Sequence, residues 1–144
     1  MGTVFIQESA IRLGAAAAVS AGTDVTGASF DTAGYDGVVI FCTIATANAG
    51  NFLKAQQDIV TGFSAAADLA GSRTGTSANG NVAILDINRP KEQFVRGVVV
   101  RGGANTATGD MYYIGYYGSS QPVINAITNS ISSKSLVSPL EGTA

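Results

Sequence analysis

Apolar positions along this chain fall into short runs, continuous or alternating, and none keeps helical spacing for long. Residues 38–44, V-V-I-F-C-T-I, form a near-continuous apolar run of the kind that is buried on both faces of a strand. Residues 81–87 alternate instead, with Val82, Ile84 and Asp86 on one side and Ala83, Leu85 and Ile87 on the other. Asn88, Arg89 and Pro90 end that strand, because proline cannot extend a ladder. Residues 52–57 alternate as well. Residues 3–12 read as a first strand bent near Ser9 and Ala10, and residues 23–30 as a short second one. The Ala-rich stretch between them, 14–22, is too short for an independent helix and reads as a link. Residues 61–73 form a compact loop or a single helical turn that carries Phe63 and Leu69 inward.

The richest strand signal lies at 94–117. F-V-R-G-V-V-V-R and M-Y-Y-I-G-Y-Y are full of β-branched and aromatic residues, which suit a pleated, half-buried surface. Gly102, Gly103, Asn105 and Gly109 break the run, so the pair reads as an antiparallel hairpin with Val98 opposite Ile114 and Val99 opposite Tyr113. In all, about six to eight short strands with turn signals about every eight to twelve residues predict an all-β chain. The expected architecture is an antiparallel β-sandwich or jelly-roll-like domain.

Residues 119–144 differ in texture. They hold Pro122, Pro139 and many Ser, Thr and Asn residues, yet keep Val123, Ile124, Ile127, Ile131, Leu136, Val137 and Leu140. A disordered tail is poor in apolar residues, and this one is not. The chain therefore divides into a sandwich at 1–118 and a C-terminal arm at 119–144. Ile124, Ile127 and Ile131 have helical spacing, whereas Thr128, Asn129 and Ser130 favour turns or extended chain. Two placements stay open: the arm packs on another subunit, or it folds back on its own sandwich. Tyrosine offers broad contact area with a polar tip and is enriched in interface cores. Tyr113 and Tyr117 thus join the apolar arm residues as candidate interface positions.

Composition narrows the function. Charged residues are 12% of the chain, against about 25% in an ordinary soluble domain. Small polar residues take their place, which points to a surface that meets other protein. A net charge of -2 with scattered Lys and Arg excludes wrapping nucleic acid. There is no histidine, so His-based acid–base or triad catalysis is absent. One cysteine without histidine excludes the usual zinc sets, and the acidic residues stand mostly alone at turns. No enzyme, cofactor or metal is expected. Cys42, alone in an apolar run, reads as a small buried hydrophobe. No apolar run is long enough to span a bilayer, and the N-terminus lacks a basic region followed by a continuous apolar stretch. Synthesis in the cytoplasm is expected.

The order A-I-L-D-I-N-R-P (83–90), F-V-R-G-V-V-V-R-G (94–102), M-Y-Y-I-G-Y-Y-G (111–118), Q-P-V (121–123) and S-P-L-E-G-T-A (138–144) resembles small structural proteins of tailed bacteriophages. These are encoded beside the major capsid protein and include capsid decoration, or cement, proteins. The likeness covers the C-terminal half. Such proteins often carry basic residues after the tyrosine strand, where this chain has Gly118, Ser119 and Ser120. The resemblance implies a β-sandwich that assembles as a homo-oligomer, commonly a trimer, on the outer capsid lattice, with itself and the major capsid protein as partners. It places the protein on the virion surface after synthesis in the host cytoplasm. Two other classes fit the residues: another virion component (head–tail joining, tail or host-binding), and a carbohydrate-binding β module that stacks sugars on exposed aromatics.

Overall fold

Alternation sets the strands. Ala83, Leu85 and Ile87 are fully buried while their neighbours are half-exposed, and Val95, Gly97 and Val99 repeat the pattern at 94–100 except that Val98 between them is buried too. The computed structural model of the chain describes residues 9–75, 78–102, 105–117 and 131–144. These form no helix and twelve strands: β1 (Ser9–Ala15), β2 (Ala18–Ala21), β3 (Val25–Thr26), β4 (Phe30–Asp31), β5 (Gly37–Thr46), β6 (Phe52–Asp58), β7 (Ala67–Asp68), β8 (Thr74–Gly75), β9 (Asn81–Asn88), β10 (Phe94–Val100), β11 (Thr106–Tyr116) and β12 (Ile131–Val137). Three limbs are broken in two, as β1/β2, β3/β4 and β7/β8.

The pairings nest. β1 and β2 lie on β11, β3 and β4 on β10, β5 on β9, and β6 on β7 and β8. The first limb meets the last and the second meets the last but one, as in one long hairpin. Rolling that hairpin up closes two more ladders, β11 on β5 and β10 on β6. The result is two mostly antiparallel sheets, ordered β1-β11-β5-β9-β12 and β3-β10-β6-β7. This is the strand order of a jelly roll, with β12 added.

The expected hairpin between β10 and β11 does not form. β10 already has β3/β4 on one side and β6 on the other, and β11 is likewise flanked by β1/β2 and β5. Neither has a free edge for its sequence neighbour, so the chain passes from one sheet to the other between Val100 and Thr106. Arg101 ties this crossing to the earlier one between β2 and β3: its N–H donates to Asp24 Oδ1 at 3.1 Å and its Nη1 to Val19 O at 2.8 Å. The Ala-rich stretch 14–22 is also strand rather than link, holding the end of β1 and all of β2. Ala17 N–H donates to Asp110 Oδ1 at 2.7 Å where those two strands break. Phe63 and Leu69 are both buried, as expected, but only Phe63 lies in a loop; the stretch holds β7 rather than a helical turn, and Leu69 follows β7 in a bridge to Glu141.

The two sheets meet around Tyr113. Its ring is 1% exposed and sits edge-on to Phe30, with centroids 5.9 Å apart. In a ladder, a residue's N–H and C=O reach the same neighbour. Gly97 C=O accepts from Gly27 N–H at 2.9 Å, but the break between β3 and β4 leaves Gly97 N–H without a backbone partner. The Tyr113 hydroxyl, arriving from the opposite sheet, accepts it at 3.0 Å. A Cβ on Gly27 would run into that hydroxyl, and a Cβ on Gly97 would lie 2.7 Å from Met111 Sδ and 2.9 Å from Ile40 Cγ2.

The described part of the C-terminal arm lies on its own sandwich. β12 runs parallel to β9 from Ile131↔Val82 to Val137↔Asn88, so Ile131 is in a strand rather than a helix. The chain turns at Ser138 (φ 43°) and buried Pro139, then joins the other sheet's edge. There Ala70 N–H donates to Leu140 O at 2.6 Å, and Gln57 Nε2 to Glu141 Oε1 at 3.1 Å. The terminal residues thus tie one edge of each sheet together.

Tyr113→Phe leaves the buried Gly97 N–H unpaired and should destabilise the fold by about 1–3 kcal/mol in urea unfolding. Gly27→Ala should cost a similar amount, about 1–3 kcal/mol, through overpacking. The double variant should be less destabilised than the two losses added, because removing the hydroxyl removes the clash. Strict additivity would show that the two groups do not meet.

Candidate functional site

A two-layer sandwich buries one face of each sheet, so the outer faces decide what the molecule can touch. On β5 the inward residues Val38, Ile40, Cys42 and Ile44 are fully buried, but Val39, Phe41 and Thr43 on the other side are only half-covered. The run read as buried on both faces is therefore buried on one. The ladder registers place its bare side within two cross-strand rows. One is Leu13, Tyr112, Phe41, Ile84 and Ser133; the next is Ile11, Ile114, Val39, Asp86 and Ser135. Val82 and Ile131 continue the surface beside Thr43. Ile11 is 47% and Leu13 54% exposed, and Phe41 stacks on Tyr112 with centroids 5.4 Å apart.

Asp86 is the one charged side chain in these rows, and it is engaged. Tyr116 Oη donates to Asp86 Oδ1 at 2.6 Å and Ser135 Oγ to Oδ2 at 3.5 Å, while Asn88 Nδ2 donates to Tyr116 Oη at 3.3 Å. Burial first, and then the bond to Asp86, push the Tyr116 pKa up to about 12.

The outer face of the second sheet is built differently. Lys54 Nζ lies 2.7 Å from Asp68 Oδ2, Gln56 Nε2 donates to Asp68 Oδ1 at 2.8 Å, and Arg96 Nε donates to Gln56 Oε1 at 2.9 Å. Burial raises the Asp68 pKa, but the bonds from Lys54 and Gln56 outweigh it and hold the carboxyl below its ordinary value. Arg96 also covers the Phe63 ring, 4.3 Å from its centroid. One face is a charged network suited to water; the other is nearly free of ions.

A third feature is a cleft of about 430 Å³ where β1 and β4 leave the sandwich open, lined by Arg12, Ser29, Phe30, Asp31, Tyr35 and Tyr113. Gln93 Nε2 donates to both Asp31 oxygens at 3.1 and 3.2 Å. Tyr35 packs on Tyr117 with centroids 5.1 Å apart.

The expected interface residues divide. Tyr113 turns into the core, so its ring is not available to a partner. Tyr117 is 54% exposed beside the cleft. Ile131 and Leu136 are half-buried on β12, and Val137 and Leu140 are exposed. Val123, Ile124 and Ile127 lie outside the described residues. The apolar rows through Leu13, Tyr112, Phe41 and Ile84 were not singled out in the sequence. The available signal was a strand apolar on both alternations in a chain too short for a third layer. Cys42 is buried as expected, and burial first, then Asp110, push its thiol up to about 12, which keeps it protonated.

Comparison with known protein families, curated proteins and solved structures finds no match.

Burial also pushes Tyr113 up to about 12. Folded-state values above the unfolded value of about 10 mean that the native protein holds the phenol protons more tightly. That stabilisation is complete below pH of about 10 and is lost as pH rises toward about 12. Urea midpoints measured from pH of about 8 to about 11.5 should fall across that window. The fall should be shallower in Tyr113→Phe, and an equal slope in both proteins would contradict the assignment.

Proposed function

We propose that this chain is a structural virion protein, a capsid decoration or cement protein that binds the outer capsid lattice as a homo-oligomer, a trimer in the form implied by the resemblance of its C-terminal half. The observation that carries this reading is the broad, nearly ion-free outer face of the β1-β11-β5-β9-β12 sheet, set on a chain without histidine and with a single buried cysteine. Such a surface is made to be covered by protein rather than to turn over a substrate. Jelly rolls recur in viral shells, which agrees with the reading by fold analogy alone.

The mechanism is adhesive. Packed DNA pushes a phage shell outward, and a cement protein resists by bridging shell subunits. Each contact is weak, but contacts linked within one oligomer act together through effective concentration. The C-terminal tie between the two sheet edges suits that work, because it closes the fold without a disulfide.

The cleft favours a second reading, as a glycan-binding module. Its Arg12, Asp31 and Tyr35 combine an aromatic wall with polar groups of both charges, beside the exposed Tyr117 ring. A few placed polar groups in a partly apolar hollow are what a sugar needs.

The test is sedimentation of the purified chain with capsids of the encoding phage that lack it. Saturable co-sedimentation and a higher rupture temperature are expected. Capsids that stay bare at tens of micromolar protein would end the cement reading, and binding on a glycan array instead would favour the second.

A further inference from the structure

We infer that the outer face of the β1-β11-β5-β9-β12 sheet is where copies of this chain join one another. The inference rests on the reading as an assembly protein and names the partner of its apolar face.

Charge argues for a like partner. The rows through Leu13, Tyr112, Phe41 and Ile84 and through Ile11, Ile114, Val39 and Asp86 hold one carboxylate, already engaged by Tyr116 and Ser135. At their β11 margin, exposed Asp110 accepts from Tyr112 Oη at 3.1 Å and from Ala17 N–H at 2.7 Å. A partner chosen by charge would find only these two carboxylates, both already hydrogen-bonded, and no cation in the rows. A second copy of the same face brings few ions, and those already have hydrogen-bond partners, so little charge is left unpaired on contact. The opposite sheet makes the contrast, since its Lys54–Asp68 pair and Arg96–Gln56 bond hold ionised groups at the surface.

Area agrees. Five strands about 4.8 Å apart and about seven residues long make a face of about 24 by about 24 Å, or about 550 Å². Two such faces in contact bury about 1,100 Å², just above the roughly 1,000 Å² expected of a specific interface. Three faces around one axis also fit. The axis then lies about 7 Å from each sheet, farther than the roughly 5 Å each sheet fills in ordinary face-to-face packing. The largest side chains, Phe41 and Tyr112, stand on the central strands where that extra depth is needed, and Ser133 and Ser135 stand at the β12 edge where neighbouring sheets would converge.

The experiment compares the full chain with Leu13→Asp and Ile11→Asp by sedimentation velocity across dilution. Both positions are about half exposed on the edge strand, so the fold should hold, and urea unfolding checks that it does. Phe41→Ser probes the centre of the same face, and Thr26→Asp, an exposed position on the other sheet, is the control. The expected result is a wild-type oligomer, a dissociation constant raised about a hundredfold or more in each folded face variant, and no change in the control. A wild-type monomer at tens of micromolar would overturn the inference, as would folded face variants that keep the wild-type mass. The two readings fail separately. A chain that self-associates through this face but ignores capsids loses the cement role alone; one that binds capsids as a monomer loses this inference alone.

Discussion

One hydrogen bond between the sheets fixes the rest of the molecule. Tyr113 rises from β11, crosses the interior and accepts the N–H of Gly97 on β10. That donor is free because β3 and β4 are interrupted beside it, and the tyrosine fits because Gly27 and Gly97 carry no side chains. An unpaired buried N–H would cost about 1–3 kcal/mol, so the broken limb and the buried phenol require each other. Tyr113 sits in the same buried cluster as Phe30, Met111 and Ile40. A residue with the look of an interface aromatic is thereby committed to the core.

Once the rolled hairpin is closed this way, the outer faces are determined and they are unequal. The second sheet spends its polar residues on an ion and amide network around Asp68. The first turns Phe41, Tyr112, Ile84 and Leu13 outward from strands whose inner sides already supply the core. A chain with 12% charged residues has few ions to distribute, and on this face the carboxylates Asp86 and Asp110 are both taken up by tyrosine hydroxyls. That allocation, rather than any reactive group, is what argues for assembly as the function.

Much of this was legible in the residues. The strands at β5, β9, β10 and β11 follow from alternation and β-branched content, and so does the sandwich class. The partners of those strands were not legible. A Gly-rich break such as 101–105 has the same local chemistry whether it closes a hairpin or crosses between sheets, and only the occupied edges of β10 and β11 decide. β12 was hidden for another reason. Ser132, Ser133 and Ser135 have poor strand propensity, and the segment is held chiefly by its backbone ladder to β9, with no side chain fully buried. The apolar outer face was half visible, since V-V-I-F-C-T-I is apolar at both parities. Without the layer count, the second parity looked like core.

Hydroxyl-radical footprinting at a series of protein concentrations tests the central claim most directly. Oxidation of Leu13, Phe41 and Tyr112 should be suppressed in concentrated solution and recover on dilution, while Phe52 and Phe94 on the other sheet stay constant. Equal labelling of Phe41 and Tyr112 at every concentration, in a protein whose mass still changes on dilution, would contradict the account.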